Sequence, residues 1–233
     1  MTAEERLARQ RLSMLGLTQA QRSSEDDMRS SPERRGFSRN GGLLLVVVVA
    51  AIPRLLWPGM WIFWWDEVVL LRRSLRLVAL KDWTWLSNPT TWSAIPIHSP
   101  FNTYAFSLPY LFTRDPRAVR FFVGVLGVLA VLVLFLTVRR YYGGLAAVIS
   151  GLMLALSPLA IDWARWVWNP NLAQVFIALW LATGLLGYYE GKQWAQILHW
   201  LMLSLAGQAH LGHGFNMLLP SLALLAIAWL HFT

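Results

Sequence analysis

Six runs of apolar residues divide the chain, at 43–63, 118–138, 143–161, 171–187, 195–209 and 214–232. A helix that crosses a bilayer needs roughly 20 mostly apolar residues. The pattern therefore predicts an all-α, polytopic membrane protein with about six transmembrane helices. Pro53-Arg54 interrupts the first run, so its regular helix ends early and Arg54 falls near the far membrane face. The fourth and fifth runs are short, and the break from Gln208 to Gly214 is polar. Five crossings with one re-entrant segment is the alternative count.

The polar stretches between the runs carry their own pattern. From Asp66 to Lys81, Val68, Leu71, Leu75 and Val78 fall on one helical face and Arg72, Arg73 and Arg76 on another. That predicts an amphipathic helix lying in the interface, apolar side to the membrane. Turn-forming Asn88-Pro89 and the segment His98-Ser99-Pro100 follow, then a second short interfacial helix over 101–112. Together these fill a long outer loop, 64–117. The second outer loop runs from Asp162 to Asn171, where Asn169 and Pro170 suit the N-cap and first position of the fourth span. The third holds His210 and His213.

Orientation follows the basic residues. The tail over 1–42 carries eight arginines, the 139–142 turn holds Arg139 and Arg140, and the 188–194 turn holds Lys192. These segments are assigned to the cytoplasmic side of a cell (plasma) membrane. The tail is long and charged, with no short apolar core before a cleavage site, so it is not a signal peptide. Its second half reads as a disordered polar tether.

Composition agrees with the membrane reading: 56% of the residues are hydrophobic and 14% charged, against roughly 25% charged in an ordinary soluble domain. There is no cysteine, which excludes disulfides and thiolate metal sites. The net charge of +8 comes from arginines that flank apolar runs and build no continuous basic patch. Anionic lipid headgroups explain them, and nucleic acid is not a partner.

Candidate chemistry gathers in the outer segments. Asp66 and Glu67 stand just after the first span, where ionised carboxylates are affordable. They point about 100° apart on a helix, so one suits a base while the other holds an arginine, a helix N-terminus or a divalent cation. That cation is the one cofactor left open. Asp66 as a simple helix-start residue is the plain alternative. Arg54 and Arg165 suit a phosphate clamp or contact with headgroups. Asp162 is a second acid. His98, His210 and His213 suit proton relay more than metal, because the nearby glycines disfavour one regular helix. No phosphate-cradling glycine loop, zinc-protease helix or serine elbow is present.

The Asp66-Glu67 pair after the first span, the amphipathic outer helix, Asp82-Trp83-Thr84-Trp85-Leu86 with Asn88-Pro89, His98-Ser99-Pro100, Arg139-Arg140-Tyr141-Tyr142-Gly143 and Arg165-Trp166-Val167-Trp168-Asn169-Pro170-Asn171 occur in that order. From about residue 43 to 232 the chain resembles the bacterial GT-C membrane glycosyltransferases, relatives of protein O-mannosyltransferases and of the lipid A aminoarabinose transferase. The resemblance implies inverting transfer of a sugar from a polyprenyl-phosphate donor to an acceptor protein or lipid at the outer face. Asp66 would be the general base, buried with Glu67 beside it. Arg165 and Arg54 would meet the leaving phosphate, and Asp162, His98, His210 and Asn169 would line the substrate site. Family members continue through further spans, so the expectation is an N-terminal portion of the full enzyme. The rival reading is a non-enzymatic transporter-like subunit with Asp162 or the histidines in a permeation path, or an inactive remnant. Charge placed at span ends rather than mid-membrane favours the transferase.

Overall fold

A computed structural model describes residues 40–56, 58–59, 63–81, 83 and 99–232. The tail over 1–39 and His98 lie outside the described residues. Every regular element among them is helical. In chain order they are α1 (Gly41–Leu55), α2 (Trp65–Val78), α3 (Phe101–Ser107) with a 3-10 turn Leu108–Leu111, α4 (Arg117–Tyr142), α5 (Gly144–Leu156), α6 (Pro158–Trp163), α7 (Ala173–Gly184), α8 (Gln193–Ala209) and α9 (Leu211–Phe232). A 3-10 turn Asn169–Leu172 leads into α7, and a π-helical turn Leu185–Tyr189 continues it.

Among the described residues, three helices are long and apolar enough to cross a membrane: Arg117–Tyr142, the continuous Asn169–Tyr189 and Leu211–Leu230. Gly41–Leu55 and Gly144–Leu156 are shorter apolar helices. The protein is an all-α membrane protein. The first apolar run does stop early, at Leu55, two residues after Pro53. The third run is divided at Ser157, whose hydroxyl accepts from the Ala160 amide while Pro158 opens α6. At Gly143, φ of 88° lets the chain turn between α4 and α5, a conformation costly for any side-chain-bearing residue. The helix of the fourth apolar run starts with its N-cap one residue earlier than expected, at Trp168 rather than Asn169.

Two clusters position the site. Val46 and Ala50 of α1, Val131 and Phe135 of α4, and Ala147 and Ala155 of α5 pack into one. The other joins Leu70 and Leu71 of α2, Phe106 of α3, Val119 and Val123 at the start of α4, Val167, Leu172, and Ala209 at the end of α8. Burying these apolar side chains draws the polar connecting segments to one end of the helices. At the far ends of α4 and α7, Arg140 donates to both oxygens of Glu190, at 2.5 and 2.7 Å, and Tyr141 donates at 2.8 Å.

Candidate active site

α2 starts without a side-chain cap, since Trp64 holds the N-cap position and makes no capping bond. Asp66 and Glu67 occupy its first turn, where the unpaired amide groups favour negative charge. Adjacent positions on a helix diverge, and here the divergence separates the two acids completely: Asp66 is exposed and Glu67 is fully buried. The buried face of α2 carries Glu67, Leu70, Leu71, Ser74 and Leu77, while Val68 is 42% exposed. The face expected from apolar periodicity, centred on Val68, Leu71, Leu75 and Val78, is thus rotated toward Glu67.

Arg120 of α4 accounts for the rotation. Its Nε donates to Glu67 Oε1 at 2.7 Å and its Nη2 to Oε2 at 2.6 Å. Its guanidinium also lies 3.8 Å over the Phe63 ring, and Nη1 donates to the Pro58 carbonyl at 3.2 Å. The Val167 amide gives Glu67 Oε1 a further hydrogen bond at 3.0 Å. One carboxylate therefore ties α2 to α4 and to the segment after α6. Glu67 does not line the cavity described next; it holds the cavity's walls. Arg120 went unnoticed in the sequence, although a charged residue inside the apolar run 118–138 is a signal for a buried partner.

The segment 164–168 is held from several sides. Arg165 Nη1 donates to the Pro53 carbonyl at 3.1 Å, and Asn171 Nδ2 donates to the Trp166 carbonyl at 2.9 Å. The Trp166 and Trp168 rings stack with centroids 5.1 Å apart and 14° between planes. With the start of α2 and the end of α6, these residues enclose a cavity of about 400 Å³. Among the described residues, Asp66, Asp162 and Arg165 are its charged lining, and Trp64, Trp65, Trp166 and Trp168 are its aromatic walls. Asp66 thus faces an open cavity and is not buried beside Glu67.

The remaining expected site residues lie elsewhere. Arg54 is 2% exposed and turned inward, its Nη1 donating to Ala155 O at 2.7 Å and its Nη2 to Leu154 O at 3.0 Å. Its charge meets the negative C-terminal end of α5, so it is a helix-capping cation and not a phosphate clamp at this cavity. Gly124 and Gly127 of α4 leave it room: a Cβ on Gly124 would sit 2.5 Å from the Arg54 carbonyl oxygen. His210 does not line the cavity; its ring packs 5.1 Å from His213, which in turn lies 6.5 Å from Trp163. Asn169 is half-buried with no hydrogen bond to Oδ1, one residue from the cavity wall. Among the described residues no three His, Asp or Glu side chains gather closely enough for a metal ion.

The sequence profile of the dolichyl-phosphate-mannose-protein mannosyltransferase family matches residues 98–233. The chain belongs to this family. It is a membrane glycosyltransferase of GT-C type. Comparison with curated proteins and with solved structures finds no match. The stretch matching the mannosyltransferase family includes Arg120, Asp162, Arg165 and the Trp166–Trp168 pair. Asp66 and Glu67 precede it and join it through the Glu67–Arg120 and Glu67–Val167 bonds.

Proposed function

We propose that the protein transfers a sugar from a polyprenyl-phosphate donor to an acceptor hydroxyl at the outer membrane face, with inversion at the anomeric carbon. The observation that carries this reading is the shared cavity: Asp66, Asp162 and Arg165 line it from segments 96 and more residues apart. A carboxylate at a cavity wall, held on the first turn of a helix by its buried neighbour, suits a general base. Asp66 takes the acceptor proton, and the acceptor oxygen forms its bond to the anomeric carbon. On the opposite face the bond from that carbon to the phosphate oxygen breaks, and its electron pair leaves with the lipid phosphate. Arg165 supplies positive charge where that phosphate gains negative charge. Asp162 orients hydroxyls by accepting their hydrogen bonds. The proton on Asp66 then passes to solvent.

In this reading the chain has a cytoplasmic N-terminal tail and a transmembrane module over 43–233, lies in the cell membrane and contacts its lipids. The test is an assay of the full chain in lipid nanodiscs with a radiolabelled polyprenyl-phosphate hexose. Donor cleavage that is lost in Asp66→Asn supports the reading. Cleavage at the wild-type rate in that variant overturns it.

A further inference from the structure

The cavity walls say more about the acceptor than the charged residues do. Four of the cavity's described lining residues are tryptophans and none is aliphatic. Elsewhere the same molecule builds cavities of the opposite kind. One of about 340 Å³ is walled by residues such as Leu134, Ile177 and Leu181, and another of about 480 Å³ by Phe122, Leu126 and Leu179. Hydrocarbon chains fit those. An interfacial tryptophan belt does not explain the indole cavity either, because belt rings face lipid headgroups, whereas these share a hollow with two carboxylates and an arginine.

One further observation points to a ligand. Trp64 and Trp65 remain 67% and 79% exposed, immediately before the carboxylate that faces the cavity. The indoles sit on two segments. On the transferase reading Arg165 meets the donor phosphate, and Trp166 and Trp168 of its segment, stacked on each other, fall to the donor sugar. Trp64 and Trp65 belong to the turn of Asp66, so they flank the group whose hydroxyl Asp66 deprotonates.

We propose that this second group is a pyranose ring, so that the acceptor hydroxyl belongs to a sugar and not to a serine or threonine side chain. This rests on the transferase reading above. A pyranose presents C–H groups on its face, which suit the electron-rich face of an indole, and hydroxyls at its edge. Those hydroxyls suit the carboxylate oxygens of Asp66 and Asp162. A peptide hydroxyl has one short side chain and no apolar face of that size. The transfer balances as before: the sugar O–H proton goes to Asp66, the new glycosidic bond forms, and the donor's phosphate leaves with the electron pair.

The full chain in nanodiscs is titrated calorimetrically with methyl and butyl pyranosides and with an end-capped serine/threonine tripeptide. The expected result is saturable pyranoside binding, weakened at least tenfold by Trp65→Ala, with no tripeptide binding. Tighter binding of the butyl glycoside assigns the sugar to a lipid, equal binding to a soluble glycan, and both support the proposal. Tripeptide binding as tight as pyranoside binding, or a Trp65→Ala effect under twofold, overturns it. Trp64 and Trp65 are exposed, so the variant leaves the fold intact, and its unfolding temperature checks this. With labelled donor present, transfer to the tripeptide and not to the pyranosides refutes the sugar acceptor while the transferase reading stands. Donor cleavage absent with every acceptor removes the transferase reading, and this inference with it.

Discussion

Arg120 meets Glu67 with two parallel hydrogen bonds, and neither side chain touches solvent. The pair joins α2 to α4, and the amide of Val167 ties the segment of Arg165, Trp166 and Trp168, another wall of the cavity, to the same carboxylate. Truncating one partner strands a buried charge, which costs about 3–5 kcal/mol. Arg120→Leu is expected to lose that much in denaturant unfolding in micelles. Glu67→Leu with Arg120→Leu together is expected to lose less than the two single variants summed. Additive losses would show that the two side chains do not act as a unit.

Asp66→Asn keeps shape and removes the base. Removing general-base assistance lowers rate by roughly 10²–10⁴-fold. Because Asp66 is exposed, its unfolding temperature is expected to match the wild type. Loss of the rate together with loss of the fold would assign Asp66 a structural role instead.

Arg165 separates point charge from forked geometry. Removing a group that stabilises transition-state charge costs on the order of 10²–10³ in kcat, and Arg165→Ala is expected to show it. Arg165→Lys keeps the charge but gives up the fork that also reaches the Pro53 carbonyl, so it is expected to recover only part. Full recovery by lysine would mean that geometry is irrelevant there.

Gly124 tests packing against propensity. Alanine in a helix interior gains about 1 kcal/mol over glycine. A Cβ here, however, lands 2.5 Å from the Arg54 carbonyl oxygen, and overpacking typically costs about 1–3 kcal/mol. The expected net result for Gly124→Ala is destabilisation, read by thermal unfolding in micelles. A stabilised variant would show that α1 and α4 move apart freely.

Glu190 supplies a pH dependence. Hydrogen bonds from Arg140, then Tyr141, hold its carboxyl down at about 2. A depressed carboxylate contributes stability above its unfolded pKa of 4.5 and loses it as pH falls toward 2. The wild type is therefore expected to lose stability between about pH 4.5 and 2, and Glu190→Gln to start lower and fall less over that window. Parallel curves for the two would assign the acid sensitivity to other groups.

The apolar runs alone determined the helical membrane class, because the bilayer requires long stretches without charge and leaves that requirement visible in one dimension. The amphipathic α2 was equally legible, as was the helix start near Asn169 and Pro170. Its orientation was not, because periodicity treats Glu67 as polar and therefore outward, while its partner lies 53 residues away on α4. Arg54 shows the same limit: a basic residue at a span end reads as interfacial until the end of α5 arrives beside it. The resemblance read in the sequence gave Asp66, Asp162 and Arg165 a common site as an expectation without geometry, and the tertiary structure puts them around one cavity. Such convergence depends on contacts between segments about a hundred residues apart, which local pattern cannot encode. Local chemistry chose the elements; buried pairing between them decided which acid faces the cavity and which one holds it open.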